Sequence, residues 1–273
     1  MLGSVFKLWL LADLADRIAA GEATWDEKVP VDDRYKSSPD GEVFTMEPGT
    51  EISLEELAML MISISDNSAT DHLMAYLGRD RVEAVLDRIG VADPAANVPM
   101  LSTQALFQLK FVAAGPSSDD WRALDEEGRR TLLADIDEAV LPWVQDPDAF
   151  DLINADGVPV DQPRDLDLEW FATPGDLCRT LTYLADRAET PGLEPVAAIL
   201  EANPGLGLPF DRDRWPTIRF KGGSEPGVVA GAWWFEGDDG RRYVVAGGLA
   251  DPESPVPEID GALALASAIT LVS

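Results

Sequence analysis

The chain has 273 residues but only one cysteine, Cys178, and one histidine, His72. A single cysteine excludes an internal disulfide and any zinc site built from several cysteines, and a single histidine excludes multi-histidine metal sites. No apolar run approaches the roughly 18 residues that a membrane-spanning helix needs. We therefore expect no membrane span.

Positive charge is also scarce. Asp and Glu number 50 against 21 Lys and Arg, which gives a formal net charge of −29. Such a surface repels duplex DNA and anionic membranes, so we expect no nucleic-acid partner and interpret the charge as a solvated acidic surface. Apolar residues make up 46% of the chain. This is enough to build one large domain or two closely packed lobes.

The first 21 residues superficially resemble a signal peptide. Their apolar run extends only from Leu8 to Ala12, Asp13 interrupts it, and no basic segment precedes it. The apolar spacing instead predicts an amphipathic helix that ends at Gly21. We expect a soluble protein of unknown compartment, cytoplasmic as written and exported if the true N-terminus lies upstream.

The pattern of periodicity predicts an α+β protein with helices first, then an antiparallel meander, then a final helix. Ser53 and Glu56 form a predicted capping box, and Thr173 followed by Pro174 predicts another helix start. Two predicted helices follow Ser53 and Ser65-Asp66-Asn67, and shorter helices are predicted at 80–89, 102–114 and 127–141. A long loop is predicted at 144–170. Strands are predicted at 217–221, 228–235 and 241–248, and a last helix at 258–271.

Ser4 and Lys7 stand three residues apart at the start of the first predicted helix. This spacing places the hydroxyl and the amine on one face, one turn apart. Free N–H groups at a helix start can hold an oxyanion, and a desolvated lysine can act as the base for a serine. Taken alone, this S-x-x-K pattern is weak.

Two further short elements carry polar side chains. Ser65-Asp66-Asn67 lies between two apolar helices, and Lys221-Gly222-Gly223 ends a predicted strand. Alone, each is better interpreted structurally, the first as a helix-capping turn and the second as a strand entering a bulge. The three elements in this order are typical of class A β-lactamases and penicillin-binding proteins, whose signature is S-x-x-K, S-D-N and K-[TS]-G.

The whole sequence resembles this serine hydrolase family. It is most similar to an actinobacterial subgroup that includes the β-lactamase-like domain of a protein encoded among clavulanic-acid biosynthesis genes. The resemblance implies the β-lactamase/transpeptidase-like fold, with a helical lobe against an antiparallel sheet flanked by helices. It rests on segments 2–7, 36–37, 52–57, 62–71, 101–103, 106–110, 170–177, 179–181 and 220–228.

The resemblance also implies roles for residues of the three motifs. Ser4 is implied as the acylated nucleophile and Lys7 as its proton acceptor or relay. Ser65 is implied to pass a proton toward the leaving nitrogen, and Lys221 to place positive charge near the substrate carboxylate. The catalytic set is therefore Ser4, Lys7, Ser65 and Lys221.

Substrate binding is implied for three other residues. Asn67 is implied to bind the side-chain amide of the substrate and to orient Lys7, and Gly223 and Ser224 are implied as further substrate-binding residues. The backbone N–H groups of Ser4 and Ser224 are implied to form the oxyanion hole. The implied substrate is a small β-lactam or a related ester or amide, and no metal or cofactor is implied.

The sequence departs from the family pattern in the third motif and in the loop before Ala172. Gly222 stands where class A enzymes carry Thr or Ser, and Ser224 is the candidate replacement for that hydroxyl. No E-x-x-L-N motif supplies the usual deacylating glutamate. Asp165, Asp167 and Glu169 are the available acids, and we expect each to be a solvated loop residue.

A further departure is the start of the chain, since the family has a helix and two strands before S-x-x-K. We expect these N-terminal strands to be missing from the sequence through a late-assigned start codon or a shortened chain, rather than from a natural fold without them. If residues 1–273 are the whole protein, we expect a sheet of about three strands with one open edge, and a chain that is unstable or pairs with itself. Residues 1–273 are interpreted as one catalytic domain. Residues 22–170 would form a mostly helical lobe, and 1–21 with 171–273 an α/β lobe that carries the nucleophile helix.

Three other conspicuous features have structural interpretations. We expect His72 to be a packing or helix-surface residue, Cys178 to be a small buried hydrophobe, and the Trp233-Trp234 pair to present one ring to each sheet face. Two alternatives to a β-lactamase-like enzyme stay open. One is a penicillin-binding-protein-like peptidase or transpeptidase, and the other is a catalytically weak accessory or binding protein. The oligomeric state is left open.

Overall fold

The computed structural model describes residues 1–112, 114–146, 149–150, 162–205, 208 and 210–270. Two short strands in the first part, β1 and β2, pair with each other, and three longer ones, β3 to β5, follow most of the helices. The strands are β1 (Lys28–Pro30), β2 (Glu51–Ser53), β3 (Thr217–Glu225), β4 (Val228–Glu236) and β5 (Arg242–Ala250). The helices are α1 (Lys7–Ala19), α2 (Leu54–Ser63), α3 (Asn67–Leu77), α4 (Arg79–Ile89), α5 (Thr103–Phe111), α6 (Ser118–Ala123), α7 (Glu126–Asp137), α8 (Pro142–Gln145), α9 (Pro174–Ala188), α10 (Glu194–Glu201) and α11 (Glu258–Ile269).

The main sheet is the predicted antiparallel meander, with strand order β3-β4-β5 among the described residues. In the register of β3 and β4, Lys221 lies opposite Ala232 and Gly223 opposite Ala230. Between β4 and β5, Gly240 adopts a φ of 74°, a left-handed conformation that glycine tolerates at a turn. The meander and its turn are therefore confirmed.

The two adjacent tryptophans of β4 point to opposite faces of this sheet, as predicted. Trp234 packs into the main core with the helices of the first part of the chain. Trp233 belongs to a separate cluster with Phe220 and Phe235, which is covered by Leu265 of α11. The sheet is thus a wall between two apolar layers.

Helix α1 lies at the centre of the main core. Every residue from Lys7 to Ala15 is buried, and the helix packs against α3, α4 and α9. We predicted an amphipathic helix with one solvated face, and this was wrong for its first nine residues. A helix buried on all sides is instead a core helix. Lys7 and Asp13 are consequently charged groups inside the protein.

The segment just before α1 packs against the segment that precedes α9. A 3-10 turn, Gly3–Phe6, leads directly into that helix. The ring of Phe6 stacks on that of Trp170, with centroids 3.7 Å apart and planes 4° from parallel. Trp170 also donates a hydrogen bond from Nε1 to the carbonyl of Leu101. The segment that precedes α9 is therefore fixed against the start of α1.

The predicted helix starts are confirmed at their caps. Ser53 accepts a hydrogen bond from the backbone N–H of Glu56. Thr173 and Asp176 form a complete capping box at α9, with Pro174 in the first turn. The short helices α6, α8 and α10 were not predicted, and part of the predicted loop at 144–170 lies outside the described residues. Within the part of the chain that is described, no helix is both long and apolar enough to cross a membrane.

Candidate active site

The turn that carries Ser4 packs directly against strand β3. Gly3 has a φ of +48°, and a Cβ on it would lie 2.8 Å from the backbone nitrogen of Ser224. A Cβ on Gly223 would lie 2.2 Å from the carbonyl oxygen of Leu2 and 2.4 Å from the backbone nitrogen of Ser4. Two glycines therefore allow this turn and the strand to meet backbone to backbone.

Lys7 is fully buried one turn after Ser4. Its Nζ donates to the carbonyl oxygen of Ser65 at 2.6 Å, to Ser65 Oγ at 3.2 Å and to Asn67 Oδ1 at 2.7 Å. Burial lowers the pKa of Lys7 to about 7, against the opposing charge of Asp71 and two other aspartates. About half of the Lys7 side chains therefore carry a neutral amine near neutral pH.

Ser65 lies in the connection between α2 and α3 with a φ of 63°, which is rare for a residue other than glycine. The connection is fixed by Asp66, which accepts hydrogen bonds from the backbone N–H groups of Ala69 and Val43. This conformation turns the Ser65 carbonyl and hydroxyl toward Lys7. A strained backbone that its surroundings hold in place is a frequent property of functional sites.

Lys221 of β3 contacts the same hydroxyl from the other side. Its Nζ donates to Ser65 Oγ at 2.9 Å and to the carbonyl oxygen of Gly222 at 2.8 Å. Burial, and then the nearby charge of Lys7, lower the pKa of Lys221 well below its ordinary value. Two lysines that are distant in sequence therefore converge on one serine oxygen.

The site opens into two adjoining cavities of about 620 and 450 Å³. Both are lined by Ser4, Asn67 and Ser224. The smaller cavity also contains Ser65, Lys221 and Gly223. The sequence-predicted residues are thus brought together in one cleft, with Lys7 buried directly beside it.

Gly222, the departure from the K-[TS]-G pattern, has a local structural reason. A Cβ at this position would lie 2.7 Å from Cζ of Phe220. The Phe220 ring therefore occupies the space that a threonine or serine side chain would need. Ser224 also borders both cavities, which is consistent with the expectation that it supplies the hydroxyl here.

The three acidic residues before α9 differ in their burial and in their partners. Asp165 and Asp167 form ion pairs with Arg122 near the surface. Glu169 is buried, with 5% of its surface exposed, and its Oε2 accepts hydrogen bonds from the backbone N–H groups of Leu2 and Gly3 at 2.8 and 2.6 Å. The expectation that Glu169 is a solvated loop residue was therefore wrong.

Two more charged residues at this site were missed from the sequence, Lys110 of α5 and Glu225 of β3. Lys110 Nζ donates to both carboxylate oxygens of Glu225, at 3.0 and 2.8 Å. One signal was present, because side chains alternate along a strand and Glu225 shares its face with Lys221 and Gly223. Nothing in the sequence indicated that Lys110 reaches it.

The isolated histidine and cysteine have structural roles. His72 is buried, its Nε2 accepts the backbone N–H of Asp32, and its Nδ1 lies 2.7 Å from the carbonyl oxygen of Ser68. This confirms the packing interpretation. Cys178 is half-buried rather than fully buried, and burial raises the pKa of its thiol, which keeps the thiol protonated and unreactive.

We expect Gly223→Ala to lower the free energy of unfolding by about 1–3 kcal/mol, because the new methyl group would push the serine turn away from β3. The midpoint of urea denaturation measures this. Gly247→Ala on β5 is the matched control, since its Cβ would meet only the end of the Leu265 side chain, at 2.9 Å. Equal effects of the two substitutions would contradict the steric argument.

Comparisons with known proteins were made for sequence and for fold. A model of the beta-lactamase enzyme family matches residues 2–130. No curated protein matches the sequence. Solved structures match almost the full chain, and at identities of 15–20% they are informative about fold. A β-lactamase from Sphaerobacter thermophilus is 20% identical with a TM-score of 0.62, over 98% of this chain and 82% of that chain.

Two other solved structures extend the comparison to related proteins. A class A β-lactamase from Mycobacterium abscessus is 15% identical with a TM-score of 0.61, over 100% of this chain and 85% of that chain. A mutant of PBP-A, solved as an acyl-enzyme complex with penicillin G, is 17% identical with a TM-score of 0.59, over 98% and 79%. All three share the arrangement of helices and antiparallel sheet described above.

Proposed function

We propose, from the β-lactamase/transpeptidase-like fold that this chain has, that it is a serine hydrolase acting through an acyl-enzyme on β-lactams or related esters and amides. The observation that carries the proposal is the buried Lys7, whose pKa is about 7, one turn after Ser4 in a shared cleft. A neutral amine at this position is the base that a serine nucleophile needs.

The proposed reaction begins when the Ser4 hydroxyl attacks the carbonyl carbon of the substrate. Lys7, in its neutral form, accepts the hydroxyl proton, and a tetrahedral intermediate forms. The backbone N–H groups of Ser4 and Ser224, held together by the contact of Gly3 with β3, are proposed to stabilise its oxyanion. Ser4 and Ser224 both line the two cavities, which supports this role.

Collapse of the intermediate breaks the bond to the leaving nitrogen or oxygen and leaves an ester on Ser4. Ser65 is proposed to deliver its proton to the leaving atom and to receive in exchange the proton that Lys7 took from Ser4, so that Lys7 is neutral again. Its hydroxyl oxygen accepts hydrogen bonds from both lysines, so its own proton is free to point toward the substrate. Water then hydrolyses the ester. Lys221 is proposed to attract a substrate carboxylate, and Asn67 to bind the side-chain amide.

A penicillin-binding-protein-like peptidase or transpeptidase is the second candidate. It is favoured by the absence of an E-x-x-L-N motif and by the fold likeness to PBP-A. It shares the acylation step and differs in the lifetime of the acyl-enzyme. We also keep the resemblance to the actinobacterial subgroup as a proposal, along with ester substrates such as acetylated cephalosporins.

Peptide mapping by mass spectrometry tests the proposed function. We expect penicillin G, or an acetylated cephalosporin, to add its mass to the peptide that contains Ser4. Rapid decay of the adduct would support a hydrolase, and a long-lived adduct would support the peptidase. A folded protein that shows neither an adduct nor turnover would overturn the enzyme proposal in favour of the accessory protein.

A further inference from the structure

The larger cavity has a charged side that the proposed catalytic steps do not use. Glu225 lines it, and the ion pair with Lys110 is almost completely buried, with 0% of the lysine side chain and 14% of the glutamate side chain exposed. Lys110 is absent from the described lining of this cavity. Glu225 therefore borders the space, and its cationic partner does not.

A second carboxylate lines the same cavity. Glu169 uses Oε2 to accept the two backbone N–H groups of Leu2 and Gly3. Its other oxygen, Oε1, is buried and has no hydrogen-bond partner among the described residues. A buried carboxylate oxygen without a partner is costly, so a ligand donor that reaches it would gain free energy. Burial raises the pKa of Glu169, and the charges of Lys110 and of the Met1 amino group oppose this. With both glutamates ionised, the cluster of the Lys110, Glu169 and Glu225 side chains carries one net negative charge, which the amino group of Met1 partly offsets.

The cleft is therefore polarised. The smaller cavity contains Lys221 and lies beside Lys7, so its charged side chains are mainly basic. The larger cavity presents two carboxylates. Asp40 is exposed at the boundary of both and does not distinguish them. Ser38 and Thr103 also line the larger cavity, and its apolar wall is formed by Leu106, Phe107, Phe111, Phe150 and Trp170.

We propose that the larger cavity selects acyl donors whose side chain combines an apolar or aromatic body with a protonated amine. The preferred substrate is then zwitterionic, with a carboxylate near Lys221 and an ammonium group near Glu169 and Glu225. This inference deepens the proposed function and rests on it. It also implies that an anionic side chain is rejected, because it would meet the carboxylates in a site of low dielectric constant.

The titration of the cluster gives the selectivity a pH dependence. Burial raises the pKa of Glu225 to about 7; Lys110 of α5 opposes this, Glu169 adds to it, and the amino group of Met1 also opposes it. The cluster therefore becomes more negative as pH rises through 7. Discrimination against an anionic side chain must increase in the same direction.

Three penicillins that differ at one side-chain carbon provide the test. Penicillin G carries hydrogen there, ampicillin an amine and carbenicillin a carboxylate. The readout is the second-order rate constant for acylation of Ser4, measured by intact-protein mass at pH 7.5. We expect ampicillin to react at least about tenfold faster than carbenicillin, with penicillin G between them. For wild type, the ratio of penicillin G to carbenicillin rates should rise from pH 6 to pH 8.

The Glu225→Gln variant removes the proposed charge, and we expect it to bring the ampicillin to carbenicillin ratio to within about threefold of one. Glu236→Gln, at the end of β4 on the same sheet, removes an equal charge far from the cavity and should keep the wild-type ratio. The pH series on wild type applies even if Glu225→Gln does not fold.

The outcomes separate this inference from the proposed function. Adducts that form on Ser4 at equal rates with all three penicillins, or a preference that survives Glu225→Gln, would overturn only the side-chain selectivity. A ratio that does not change between pH 6 and pH 8 would overturn the role of Glu225. If none of the three penicillins acylates Ser4, the proposed function fails, and the selectivity built on it is overturned as well.

Discussion

Ser4→Ala is expected to abolish the covalent adduct with penicillin G and to reduce turnover by on the order of 10⁴-fold or more. Removal of a nucleophile leaves only binding and oxyanion stabilisation to act on the substrate, and those contribute a small part of the total rate enhancement. Intact-protein mass after mixing measures the adduct, and release of the opened β-lactam measures turnover. Circular dichroism checks the fold of the variant.

This substitution is informative because the cleft contains two candidate serine nucleophiles. Ser65, rather than Ser4, has the described hydrogen bonds to both lysines, at 3.2 and 2.9 Å from its Oγ. Ser4 instead has the position at the start of the helical segment and the contact with β3 that builds an oxyanion hole. Ser65→Ala is the matched variant, since the same hydroxyl is removed within the same cleft.

The two variants must differ if the assignment is correct. Ser65→Ala should still form an adduct on Ser4, but more slowly, because proton delivery to the leaving atom is lost. An adduct in Ser4→Ala, mapped to Ser65, would reverse the two proposed roles. Loss of all adducts in both variants would mean that acylation requires both hydroxyls. It would contradict the proposal that Ser65 acts only as a proton relay.

Lys7→Met is expected to slow acylation of Ser4 by about 10³-fold, within the range that general base catalysis contributes. Methionine keeps the length and apolar volume of the lysine stem and removes the amine. Stopped-flow or quenched mass measurements of the acylation rate give the result. Lys36→Met is the control, since Lys36 is also a buried lysine but binds the Met46 carbonyl and Asp33 outside the cleft.

The pH profile distinguishes a base from a structural residue. The neutral amine is the active form, and the pKa of Lys7 is about 7, so the acylation rate should rise as pH increases through 7 and level off above it. At pH 6 it should be about one tenth of the plateau. This inflection should disappear in Lys7→Met. It should persist in Glu225→Gln, although Glu225 titrates in the same range.

An inflection that remains in Lys7→Met would refute the role of Lys7 as the base and would direct attention to Lys221. That lysine also has a lowered pKa and also contacts Ser65 Oγ. A rate that declines as pH rises through 7 would contradict either lysine as the base, since a lysine has to lose its proton before it can accept one.

The sequence was sufficient for the features that depend on local chemistry. The caps at Ser53 and Thr173 and the alternating strands of the meander follow from propensity and periodicity. The order of the three motifs indicated one cleft, because a family likeness carries information on long-range contacts that periodicity does not. In the structure Ser65 and Asn67 contact Lys7, Lys221 contacts Ser65, and Ser4 lines the same cleft.

What the sequence did not reveal depends on contacts between distant segments. Glu169 is buried because it accepts hydrogen bonds from the backbone N–H groups of Leu2 and Gly3, which are 167 and 166 residues away in sequence. No local sequence pattern indicates such partners. Lys110 finds Glu225 across 115 residues for the same reason. The short helices α6 and α8 were not predicted because six and four residues are too few to show a helical period.

The hydroxyl oxygen of Ser65 is held by lysines 58 and 156 residues away along the chain. Contacts between segments so far apart in the chain form late in folding, because closing a long loop has a high entropic cost. The cleft can be complete only after β3 has joined the helices that precede it. Reactivity toward a penicillin would therefore be among the last native properties to appear during refolding, well after most helices have formed.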